Sequence, residues 1–404
     1  MPTSTPTTSS TAPAGSPDHG DLVALRRALH AEPEVGLHLP RTQQRVLDAL
    51  AGLPLEIRKG DALSSVVAVL RGGRPGPAVL LRGDMDALPL AERTGLDYAS
   101  THPDAMHACG HDLHIAMLVG AARELCARRE ELTGDVVFMF QPGEEGCDGA
   151  GRMIDEGVLE AAGERVVAAY ALHVIAGRIP HAVFTAKPGA MLAGGDIFSV
   201  KLRGVGGHGS APHLTRDPIP AACAVVGALQ TLVTHTVDPF GTAVLTVGEI
   251  HAGSAPNIIP DEAVLTGTIR WFDTGTRDAL RAGVDRVCRS VAEAHGVTAE
   301  PVIEEYVHAT INDPAEAARA ATVAERTFGA DRYTPMERPA AAGEDFSRVL
   351  AQVPGAFVQL GAVPPGVDPA GAEENHSPHA VFDDAVLTDG AHYLAELALD
   401  RLSG

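Results

Sequence analysis

Three polar runs stand where predicted β-strands end. PAVLLRG runs into Asp84-Met85-Asp86, VVFMF into Gln141-Pro142-Gly143-Glu144-Glu145, and VVAAYAL into His173. A fourth run, Met106 to Asp112 (MHACGHD), precedes a long amphipathic helix for which Asp112 is a candidate N-cap. A fifth, Asn375-His376-Ser377-Pro378, follows the apolar run AFVQLGA and a Pro/Gly-rich loop. Cys109 and His111, two residues apart, would diverge on a helix but can reach one ion from an extended loop. Thiolate, imidazole and carboxylate together are the donor set of zinc or a similar transition metal. Taken singly, each residue has a plainer explanation. His173 or His376 would be a satisfied polar residue, Glu144-Glu145 a solvated turn, and Cys109 a small buried hydrophobe. Their shared position at successive strand ends is what points to a metal.

The elements that must bring these runs together alternate along the chain. LVALRRALH and TQQRVLDALAGL carry apolar residues at helical spacing, SSVVAVL, PAVLLRG, GDVVFMF and VVAAYALHV are short apolar runs, and LHIAMLVGAARELCARRE is again helical. Strand and helix alternating this way predict an α/β fold with a mostly parallel sheet covered on both faces. In such sheets ligands bind beyond the carboxyl ends of the strands, which is where the polar runs fall. After Lys187 the order becomes β-α-β-β-α-β, that of a ferredoxin-like domain. The expected architecture is a catalytic domain over 21–187 and 310–404, interrupted by a small insert at 188–309. Residues 1–20, rich in Pro, Ser and Thr with no basic or apolar stretch, read as a disordered leader.

Composition narrows the partners. The 404 residues, 45% hydrophobic, suffice for two cores. Lys plus Arg number 31 against 52 Asp plus Glu, a formal net charge of −21 that repels phosphate backbones and anionic lipid, so neither nucleic acid nor membrane is an expected partner. No uninterrupted apolar stretch approaches the roughly 18 residues of a spanning helix. The 18 histidines invite a search for a metal or acid/base site. The five cysteines are scattered, odd in number and without a CxxC pair, which fits a reducing cytoplasm and not a disulfide framework.

RGDMDALP, MHACGHD, FQPGEEG, LHV, GVGGHGSAPH, HAGSAPNIIPDEAVLTGTIR, GEDF and NHSP, in this order, resemble the M20 metallopeptidase family. The likeness is to its amidohydrolase branch of hippurate hydrolases, N-acyl-amino-acid amidohydrolases and auxin-conjugate hydrolases, and it spans nearly the whole chain. The resemblance implies a two-metal exopeptidase-like catalytic domain and a smaller lid domain that also forms a homodimer. It places Cys109, His111, Glu145, His173 and His376 at metal-ligand positions and Glu144 at the general-base position. Asp86 matches an aspartate standing behind the ligands. Asp84 occupies a position where many M20 peptidases have a ligand histidine, and as elsewhere in this branch it is kept out of the ligand set. Glu344 and Asp345 of GEDF would orient ligands or simply cap a helix. His208 matches a lid histidine that stabilises the oxyanion, and Asn257 and Arg270 match positions near the substrate carboxylate.

The implied chemistry is hydrolysis of the amide of an N-acyl amino acid or similar small conjugate. Two divalent ions about 3.5–4 Å apart, drawn from Zn, Mn, Co or Ni, would lower the pKa of a shared water and polarise the carbonyl. Glu144 would carry the proton to the leaving amine. The alternatives are a dipeptidase- or carboxypeptidase-like M20 peptidase, a thiol hydrolase using Cys109 and His111, and a binding protein that keeps the fold. A non-catalytic protein would be expected to lack Glu144 or a ligand, and this chain has all of them.

Overall fold

The computed structural model describes residues 18–403. They form two compact units. One runs to Pro188 and resumes over Asn312–Met336 and from Val349 onward; the other comprises Gly189–Ile311 and Glu337–Arg348. Most of the expected leader lies outside the described residues. Its last residues already begin a helix, His19–Ala31, because the Asp18 side chain caps it by accepting from the Gly20 N–H at 3.1 Å.

The first unit is built on a seven-stranded sheet. Its order is Leu55–Lys59, Val66–Leu70, Thr133–Gln141, Arg74–Asp84, Ala168–Ile175, Gly355–Gly361 and Phe184–Thr185. The four strands from Thr133–Gln141 to Gly355–Gly361 are mutually parallel, and the flanking strands pair antiparallel. Val79, Leu80, Leu81, Val136, Val137, Phe138, Ala356, Phe357 and Val358 are all buried. Such unbroken apolar runs follow from covering a parallel sheet on both faces. The helix His111–Ala127 is buried nearly all round and the helix Val386–Leu402 along most of its length. The sheet interior is therefore mostly apolar, and the polar runs stand at the strand ends.

The second unit has four antiparallel strands in the order Ala243–Ala252, Glu262–Trp271, Gly194–Arg203, Thr298–Val307, with helices Pro218–Thr236 and Thr274–Ala294. Along Glu262–Trp271 burial alternates residue by residue, as one covered sheet face requires. Leu265, Ile269 and Trp271 join Phe198, Val225, Leu229, Leu280 and Val284 in one core. This unit also takes in 337–348, beyond the insert expected at 188–309. There Ala193 N–H donates to the Ala340 carbonyl at 3.1 Å and Ala340 N–H to that of Met191 at 2.9 Å. No hydrophobic period marks that segment in the sequence, so backbone pairing alone carries the boundary. Among the described residues one helix, Pro218–Thr236, is long and apolar enough to cross a membrane. Its Ala221, Ala222, Val225, Leu229 and Leu232 belong to the core of this unit.

Candidate metal centre

Cys109 sits at the hub of the polar runs. Its Sγ lies 3.4 Å from His173 Nε2 and 3.2 Å from His376 Nε2, and His376 Nε2 lies 3.2 Å from Glu145 Oε1. The turn holding Cys109 depends on Gly110, which adopts φ +82° and has Val174 Cγ2 2.3 Å from where a Cβ would stand. The helix then starts at His111, with Gly110 at its N-cap. Asp112, expected as that cap, instead points back to the opening helix. It lies 2.7 Å from His30 Nδ1 and 2.8 Å from Arg26 Nε, in a fully buried ion pair.

Two imidazoles are prepared as ligands by backbone carbonyls. His111 Nδ1 donates to the Asp86 carbonyl at 2.7 Å, and His173 Nδ1 to the Val174 carbonyl at 2.8 Å. Each Nδ1 is thereby occupied, which leaves Nε2 as the nitrogen of each ring that can meet an ion. His111 Nε2 is buried without a hydrogen-bond partner. Three overlapping triads, Cys109–His111–His173, Cys109–Glu145–His376 and His111–Glu144–Glu145, each bring one ligand atom per residue within 4.8 Å of one another. A buried orphan nitrogen beside a thiol, two further imidazoles and two carboxylates is an arrangement that a metal ion would satisfy, so these residues fit one.

Burial opposes charge on His111, but Asp84 and then Cys109 hold it well above its ordinary value, so negative charge prevails around this ring. Hydrogen bonding to Cys109 and then Glu145 pushes His376 up to about 10, so the cluster favours positive charge at that spot. His173 is held well below its ordinary value by burial, with His114 next, and is neutral. His376 also has φ +71°, a conformation costly for a residue with a Cβ.

The two aspartates brace this arrangement from behind. Asp86 accepts the Glu144 N–H at Oδ1 (2.9 Å) and the Glu145 N–H at Oδ2 (3.0 Å), so one carboxylate fixes both glutamates. Asp84 accepts from His114 Nδ1 at 2.5 Å and from Arg82 Nη1 at 2.6 Å. His114 Nε2 takes the Val174 N–H at 2.8 Å, which assigns its proton to Nδ1. Neither His114 nor Arg82 was singled out by the sequence, because an internal helix histidine and a strand arginine carry no motif signal.

The Arg26–Asp112 pair ties the helix that begins at His111 to the opening helix, and Arg26 Nη1 reaches Asp384 at 3.1 Å. Arg26→Met would remove the guanidinium from buried Asp112 and leave it only the His30 imidazole as ion-pair partner. The expected cost is about 3–5 kcal/mol, read as a lower denaturation midpoint in urea or heat. An unchanged midpoint would mean the pair anchors nothing.

The remaining expected residues belong to the second unit. His208 lies in a two-residue strand, Gly207–His208, paired with Ile258–Ile259, and the Asn257 carbonyl accepts the Gly209 N–H at 2.8 Å, so these two residues share one ribbon. His208 Nδ1 accepts the Ser210 N–H at 3.1 Å and lies 2.8 Å from its hydroxyl, which leaves the proton on Nε2. Arg270 stacks over the Tyr306 ring at 5.1 Å, across from Gly195, and its Nη1 is buried without an acceptor. Burial alone lowers its pKa; no carboxylate offsets it. Glu344 and Asp345 are buried, and Glu344 Oε1 accepts the Phe346 N–H at 2.9 Å, a local turn-capping contact. All five cysteines are free.

Residues 80–400 match the model of peptidase family M20/M25/M40. The chain belongs to this family. An N-acetylcysteine deacetylase of Bacillus subtilis is 34% identical over 382 residues, 94% of this chain and 97% of its own length. A hippurate hydrolase of Campylobacter jejuni is 34% identical over 390 residues, 95% and 97% of the two chains. The crystal structure of the Bacillus subtilis YXEP protein, described as a dinuclear metal binding peptidase of the M20 family, superposes with a TM-score of 0.82 at 32% identity, covering 95% of this chain and 98% of that one. As an M20 family member, the chain is a metal-dependent hydrolase of amide bonds.

Proposed function

We propose that this M20 family protein hydrolyses the amide bond of N-acyl amino acids or similar small conjugates, releasing a carboxylic acid and an amino acid. The observation that carries the reading is the convergence on Cys109 of imidazole nitrogens and a half-buried carboxylate, next to a second glutamate on the same pinned turn. Cys109, His111, Glu145, His173 and His376 would hold two divalent ions, Zn, Mn, Co or Ni. When bound, such ions supply Lewis acidity and lower the pKa of water.

The chain's own groups do the rest. Glu144, its backbone fixed by Asp86, takes the proton from the attacking water and delivers it to the departing nitrogen. His208 donates its Nε2–H to the developing oxyanion, and Ser210 keeps the proton on that nitrogen. Arg270 and Asn257 bind the substrate carboxylate, which gives the unpaired guanidinium its anion. Asp84 and Asp86 hold the ligands' supports, and Glu344 and Asp345 assist in orienting them.

The second unit would serve as lid and as homodimer interface. Its strand Ala243–Ala252 is an open edge largely exposed to solvent, and the helix Pro218–Thr236 exposes Ile219, Cys223, Gly227 and Thr231. Five free cysteines fit a cytoplasmic site of action.

The test of substrate class is amine release by metal-reconstituted protein across acetyl, benzoyl and long-acyl amino acids and dipeptides. Release from at least one acyl amino acid is expected, and none from any of them would defeat the reading. Arg270→Ala should lower kcat/KM by about 10–100-fold, mostly through KM. The loss should vanish for a substrate whose carboxylate is amidated, and undiminished hydrolysis of the free acid would remove Arg270 from the site.

A further inference from the structure

Asn375, the residue before His376, uses its whole carboxamide on the segments that carry the cluster. Its Oδ1 accepts the Ala176 N–H at 2.8 Å, and its Nδ2 donates to the Val174 carbonyl at 3.0 Å and the Cys109 carbonyl at 3.2 Å. Cys109 Sγ lies 3.8 Å from the same nitrogen. The Ala176 N–H can only donate and the two carbonyls can only accept, so the partners fix which end of the amide is which. The Val174 carbonyl also receives the proton of His173 Nδ1. One residue further on, the His376 N–H donates to the Ala108 carbonyl at 2.9 Å. A single side chain thus ties the Cys109 turn, the strand end bearing His173 and the left-handed residue His376.

We propose that Asn375 is a positioning residue that sets the spacing of Cys109, His173 and His376 for metal binding and aims His173 through their shared Val174 carbonyl. This rests on the metal-site reading above. No other side chain of that size meets the same demands: aspartate would set an oxygen against two carbonyls, and leucine would leave all three backbone groups unpaired.

The test is a titration of metal-depleted protein with Co(II) alone, against a competing chelator, following affinity and the thiolate-to-cobalt absorption band, with far-ultraviolet circular dichroism as a check on folding. N375A and N375D should each bind about 10–100-fold more weakly, with a shifted or weakened band. S377A, whose hydroxyl serves only the exposed Glu373 and the His379 N–H, should match wild type. If N375A does not fold, N375D decides alone, since it keeps the volume and the Ala176 contact. Wild-type affinity and band in the Asn375 variants, with the band lost in C109S, would overturn the positioning role. A band that persists in C109S would overturn the metal reading beneath it.

Discussion

Glu144→Gln is expected to lower kcat by about 10²–10⁴-fold while leaving metal content at the wild-type level. The amide keeps the size of the carboxylate and the turn is retained, because Asp86 grips the backbone N–H of residue 144 and not its side chain. What is lost is the group that accepts a proton from water and returns it to the leaving nitrogen. Metal analysis of the purified variant, beside its rate, separates this from damage to the ligand set. Equal turnover in the variant would place the base elsewhere.

Cys109→Ala removes the atom on which the cluster converges, and its expected effect is on metal content first. His173 Nε2 and His376 Nε2 both lie within 3.4 Å of Sγ. Without the sulfur those nitrogens lose the atom they share, and the cluster is left with imidazole and carboxylate donors only. Affinity should fall by more than the about 10–100-fold that the loss of an outer-shell partner costs, and activity should fall with occupancy. Full occupancy with lost activity would favour a thiol nucleophile over a ligand.

Much of this site was legible because its residues fall at strand ends in a parallel sheet, where local pattern and topology give the same answer. Glu144, Glu145 and His173 needed only the apolar runs before them to be placed. The parallel centre of the sheet was equally readable, whereas the antiparallel edge strands were not, since an apolar run does not encode its direction. What escaped were the supports. His114, Arg82 and Asn375 each make hydrogen bonds to groups 30 or more residues distant, and no spacing rule reports such contacts. Asp112 misled because an aspartate at a helix start ordinarily caps it. Here Gly110 turns the chain, and the buried Arg26 recruits the carboxylate.

The central claim is that amide hydrolysis depends on divalent ions held at the Cys109 cluster. The most direct measurement is to strip the protein with EDTA and titrate a single divalent ion back, recording ions bound per chain and amine release from an N-acyl amino acid in the same samples. The account predicts no hydrolysis by the stripped protein and recovery that saturates at two ions per chain. Full hydrolysis by protein shown to be metal-free would contradict it and turn attention to Cys109 as a nucleophile.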